Sequence, residues 1–126
     1  MNSSLSAARL GAGLAVVFAA LALAVPALAS PAHAGRATAT AVKVTATEFK
    51  FVLSKRRAPK GTVFFKVTNK GRLAHDFKIN GKKTRLLQPG KSTTLKVVFS
   101  KAAKFRYLCT VPGHAAAGMK GTFTVG

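Results

Sequence analysis

Four side chains in this sequence have the chemistry to hold a soft metal ion, and three of them lie in one short stretch. CTVPGHAAAGMKG opens on Cys109, the only cysteine, and continues through His114 to Met119. His75 stands apart, on an upstream segment. Met1 and His33 fall in an N-terminal segment expected to be removed. With one cysteine, no disulfide can form within the chain, so the thiol needs another explanation.

Taken singly, each residue has an ordinary structural reading. A lone buried cysteine behaves as a small hydrophobe, a histidine on an apolar face as a satisfied core residue, and a methionine as packing. Taken together they are two imidazoles, a thiolate and a thioether. That set suits a mononuclear copper site of the electron-transfer kind, with methionine as the weak axial ligand. The thiolate donates to copper and stabilises Cu(I), and imidazole serves both oxidation states. No open coordination position is left for a substrate. Zinc could occupy the Cys-His-His part, but its fourth ligand is ordinarily N, S⁻ or O rather than thioether. The affinity order of divalent metals also favours copper.

These residues must be positioned by the rest of a short chain. At 126 residues it is too short for more than one ordinary domain. Arg9 precedes an apolar run, LGAGLAVVFAALALAV, then Pro26 and an A-x-A pattern at Ala32-His33-Ala34. This reads as a signal peptide over residues 1–34, cleaved before Gly35. An uncleaved anchor is the competing reading, since Leu10–Ala29 is just long enough to span a bilayer. Residues 35–126 then form the domain. Its core is small, so a bound metal would help to stabilise it.

Beyond a short Ala/Thr linker, apolar residues alternate with period two. Val42, Val44 and Ala46 share one face; so do Phe49, Phe51 and Leu53, and Val63, Phe65 and Val67. Further faces are His75, Phe77 and Ile79; Leu95, Val97 and Phe99; Phe105, Tyr107 and Cys109; and Phe123 and Val125. Asn69-Lys70-Gly71, Asn80-Gly81 and Gln88-Pro89-Gly90 supply turns. About eight short strands without a helical period predict an all-β antiparallel sandwich or barrel. Parity turns Cys109 and His75 inward from different strands, so the two can meet at one end. A single helical turn is expected at Ala115–Ala117, bounded by Gly113 and Gly118.

YLCTVPGHAAAGMKGTFTV resembles the C-terminal signature of the small blue-copper proteins, the cupredoxins, with the pattern Y-x-C-x-x-P-G-H-x-x-x-G-M-x-G. NKGRLAHDFKI, Asn69 to Ile79, resembles the segment that delivers the family's first histidine. The Cys-to-His-to-Met spacing is similar to that of rusticyanin and auracyanin, whereas plastocyanin has a shorter Cys-to-His loop. The resemblance implies a Greek-key β-sandwich with one type 1 copper ion at one end, held by His75, Cys109, His114 and Met119. It implies that Pro112 and Gly113 shape the loop. Members often carry Asn after the first histidine, bonded to Ser or Thr after the cysteine. Here the positions hold Asp76 and Thr110, and Asp76 is expected to tie the two ligand-bearing segments together. The competing reading is that Asp76 merely offsets Lys78.

The charge is extreme: 21 Lys and Arg against Glu48 and Asp76, a formal net of +19. The bases sit singly between apolar residues, as solvent-facing strand positions would. Such a field favours an acidic partner and weak association with anionic membrane or cell-wall surfaces. No motif for specific nucleic-acid recognition is present. The expected function is an exported, monomeric one-electron carrier. Ala115, Ala116 and Ala117 would form a small apolar docking surface beside His114, and an acidic redox protein would be the partner. Two alternatives remain open: an extracytoplasmic copper-trafficking module with the same ligands, and a basic adhesive domain with a structural metal. A multicopper enzyme needs more histidines than His75 and His114, and a binuclear copper centre needs two cysteines.

Overall fold

Alternation becomes nine strands in a computed structural model that describes residues 11–17 and 38–126. Residues 11–17 carry no regular secondary structure. Most of the expected signal peptide, and its cleavage point, lie outside the described residues. Among those residues no helix is long and apolar enough to cross a membrane.

The strands are β1 (Thr40–Thr47), β2 (Lys50–Leu53), β3 (Arg57–Ala58), β4 (Gly61–Asn69), β5 (Lys78–Ile79), β6 (Lys82–Lys83), β7 (Ser92–Phe99), β8 (Ala103–Leu108) and β9 (Lys120–Val125). They form two sheets, ordered β2-β1-β4-β7 and β3-β9-β8-β5-β6. The fold is a Greek-key β-sandwich. It is not purely antiparallel: β1 pairs with β4, and β3 with β9, in parallel. Each parallel pair joins strands separated along the chain, with the intervening segment crossing between sheets. Periodicity carries no information on pairing direction, which is why the antiparallel expectation fails there.

The inner faces hold the predicted residues. Val42, Val44, Ala46, Val63, Phe65, Val67, Val97 and Phe99 come from one sheet, and Ile79, Tyr107, Phe123 and Val125 from the other; all are buried. Phe65 lies at the centre, with ring centroids 5.3 Å from Phe77 and 5.2 Å from Phe123. Phe77 in turn meets Phe51 edge-on at 5.2 Å. Edge-to-face packing of this kind adds to the area the rings bury.

One parity assignment fails. Phe49 is not on the inner face with Phe51 and Leu53. Thr47 pairs with Lys50, so Glu48 and Phe49 form a two-residue turn. Phe49 takes φ 58° there and is 41% exposed. The Asn80-Gly81 hairpin forms as the sequence predicts, with φ 49° and 73°, the positive pair of a type I′ turn.

Candidate metal centre

The loop Cys109–Met119 closes on itself. The peptide N–H of Cys109 donates to Met119 O at 3.0 Å, and that of Met119 to His114 O at 3.0 Å. Ala117 N–H donates to Gly113 O, giving the single helical turn expected at the alanines. Gly113 and Gly118 take φ 82° and 115°, a region closed to most side chains. These bonds bring Cys109, His114 and Met119 to one place, and all three are buried.

His75 arrives from the other side of the chain. Its N–H donates to Leu87 O at 3.1 Å, and its carbonyl accepts from Leu87 N–H at 2.8 Å. The loop before it is organised by Asn69, which is fully buried. Asn69 Nδ2 donates to Leu73 O and to Leu87 O, both at 2.8 Å, and Oδ1 accepts from Gly71 N–H at 2.9 Å. These bonds tie Asn69 to the loop before His75 and to Leu87, the backbone partner of His75.

The candidate ligand atoms converge. His75 Nδ1 lies 3.1 Å from His114 Nδ1, and Cys109 Sγ lies 3.6 Å from His114 Nδ1. One ligand atom from each of these three residues falls within 4.8 Å of the others. Burial pushes the Cys109 thiol up, and burial pulls the His75 imidazole down against the opposing effect of Glu48. Both shifts disfavour the charged form of the isolated side chain, Cys109 as thiolate and His75 as imidazolium. A soft cation fits the site: the thiol gives up its proton on coordination, and each imidazole offers a lone pair.

Asp76 is buried and bridges to the cysteine loop. Thr110 N–H donates to Asp76 Oδ1 at 2.6 Å, and the Thr110 hydroxyl donates to Oδ2. The nearby cation is Lys83, whose Nζ is 3.8 Å from Oδ2, and not Lys78. Thr84 supports the same segment, exchanging bonds with the Phe77 backbone through its hydroxyl and its N–H. Pro112 is exposed at the turn into the loop. Ala116 and Ala117 are exposed and Ala115 is half-buried, while His114 itself is only 8% exposed. Phe49 covers part of the His114 ring edge-on, with centroids 5.3 Å apart.

Sequence reasoning missed Phe49, Asn69 and Glu48. Asn69 sits in a turn signal, and Phe49 continues the parity of Phe51 and Leu53. Glu48 accepts N–H bonds from Arg72 at 2.5 Å and Leu73 at 3.0 Å, which hold its carboxyl below the usual range. One signal pointed at it: Glu48 and Asp76 are the only acids in the chain, and both are at this site.

Residues 14–125 match the model of the cupredoxin-like domain family. Among curated proteins, the chain is 48% identical over 40 residues to the copper-resistant cuproprotein CopI of Pseudomonas aeruginosa. That match covers 32% of this chain but 22% of the relative. Among solved structures, reduced auracyanin from Roseiflexus castenholzii superposes with a TM-score of 0.60 at 22% identity, covering 69% of this chain and 97% of that one. A rusticyanin variant gives 0.60 at 25% identity, covering 70% and 77%. A multi-copper oxidase from Pediococcus acidilactici gives 0.56 at 18% identity, where the match covers 76% of this chain and 28% of that one. The fold thus occurs both alone and within larger enzymes. Its match to the family model, together with a buried His-Cys-His cluster closed by Met119, makes this chain a member of the cupredoxin-like family, a blue copper protein whose site takes one copper ion.

Proposed function

We propose that the chain is an exported one-electron carrier, with His75, Cys109, His114 and Met119 as the ligands of a type 1 copper. The observation that carries this reading is the closed, buried ligand set, which leaves a substrate no place to bind. Bound copper supplies the one-electron couple. The protein's residues supply rigidity: the Asn69 network fixes His75, and the backbone bonds of the loop fix the other three. A fixed ligand set lowers the reorganisation that accompanies a change of charge. His114, with one edge near the surface and alanines beside it, is the exit route, and the basic body steers toward an acidic partner. Export is supported by the N-terminal pattern at residues 1–34. Cyclic voltammetry of the copper-loaded protein tests the reading. Reversible one-electron waves and an intense thiolate-to-copper band are expected, and their absence overturns it.

The likeness to CopI favours a second reading, a module that binds copper in resistance or trafficking. The ligands are the same, but exchange has to be easy. Copper transfer to a chelator separates the two, with slow release favouring the carrier.

A further inference from the structure

His75 Nε2 is a buried polar atom without a hydrogen-bond partner among the described residues. The ring is oriented by its other nitrogen, since Nδ1 faces His114 and the thiol. A metal at Nδ1 leaves the ring proton on Nε2, and a buried N–H requires an acceptor. The facing group is Glu48 Oε1, at 3.5 Å.

The carboxylate is held there deliberately. It accepts the N–H groups of Arg72 and Leu73, three and two residues before the histidine. Position 71 has no side chain, and a Cβ there would collide with Glu48 Oε1 and come within 3.1 Å of His75 Nε2. Gly71 thus leaves open the space in which the two groups face each other. In a chain this basic, one of only two acids is spent here.

We propose that Glu48 is a positioning residue for the metal, accepting the Nε2 proton of His75 when copper occupies Nδ1. Histidines that bind metals commonly donate their second N–H to a carboxylate, which fixes the ring and makes it a stronger donor. The added negative character favours Cu(II) over Cu(I), so Glu48 lowers the reduction potential. At 37% exposure the carboxylate is partly screened by solvent, which limits the effect. The inference rests on copper at the four-residue site and not on the carrier role. A protein that binds copper but passes electrons to nothing still yields a potential by mediated titration.

The decisive variant is Glu48→Gln, which keeps an oxygen for the two backbone N–H groups and removes the charge. The expected result is a roughly tenfold shift of copper affinity toward Cu(I), equal to a rise of about 59 mV in a one-electron couple. Thermal stability of the copper-loaded protein should change little. An unchanged potential in folded Glu48→Gln, with or without lost stability, overturns the proposal and leaves Glu48 as a clamp on residues 72–73. A measurement on the unmutated protein decides the matter even if the variant does not fold. In the diamagnetic Cu(I) form, NMR should show a His75 Nε2 proton protected from exchange. A proton that exchanges as freely as that of an exposed imidazole overturns the proposal.

Discussion

The two ligand-bearing segments are built on opposite plans. The Cys109–Met119 loop is held by its own backbone, through bonds between residues near in sequence. The His75 segment has little local structure of its own. It is held by groups distant in sequence: the side chain of Asn69 at the end of β4, the backbone of Leu87 beyond the β5–β6 hairpin, and the carboxylate of Glu48 from the β1–β2 turn. Asp76 and Thr110 join the two plans at one point. Three candidate ligands thus come as a unit, and the fourth depends on the assembled sandwich.

Four substitutions probe that contrast. Cys109→Ala has the largest effect: the thiolate-to-copper absorption should vanish completely. The metal-free fold should lose only about 1 kcal/mol, because the loop's bonds are main-chain. A collapsed fold, seen by far-UV circular dichroism, would show that the loop is not self-supporting. Asn69→Ala comes next. It removes the side-chain partner of Leu73 O and Gly71 N–H and one of the two donors to Leu87 O, and should cost roughly 1–3 kcal/mol by denaturant titration. Copper should bind more weakly while the cysteine loop keeps its structure. A cost under 1 kcal/mol would mean that the His75 segment is held by other means.

Asp76→Asn tests the joint. The amide can still accept from Thr110 N–H and donate to its hydroxyl, so what is lost is the charge that strengthens both bonds. A stability loss of about 1 kcal/mol is expected, with a higher reduction potential. No change in either measurement removes Asp76 from the account. Ala116→Lys should have the smallest effect on stability, within about 0.5 kcal/mol, since the position is exposed. It should slow electron self-exchange between oxidised and reduced copies if the alanine surface beside His114 is the exit. An unchanged rate would place the exit elsewhere.

The same contrast governs what could be read in advance. Alternation in Val63-Phe65-Val67 identifies a strand face because side chains in a strand alternate strictly. The Phe49 assignment fails because parity persists through a turn that the chain has already begun. Nothing in periodicity distinguishes the last residue of a strand from the first of a hairpin. Asp76 was legible through its neighbour, His75, and its partner, Thr110. The bonds of Asn69 and the hold of Glu48 on residues 72–73 were not, because their partners there are backbone groups, which every residue carries.

The sequence by itself determined the donor set, since one thiol, two imidazoles and one thioether leave few metals to choose from. It also determined the local loop, because Cys109, His114 and Met119 lie within reach of one another's backbone. Tertiary structure decided the rest. Only the pairing of β1 with β4 brings the turn at Glu48 beside the segment that follows Asn69. Only that juxtaposition sets a carboxylate against the free edge of the His75 ring. Local spacing fixes which atoms can bind, but the charge around them depends on residues that meet through the fold.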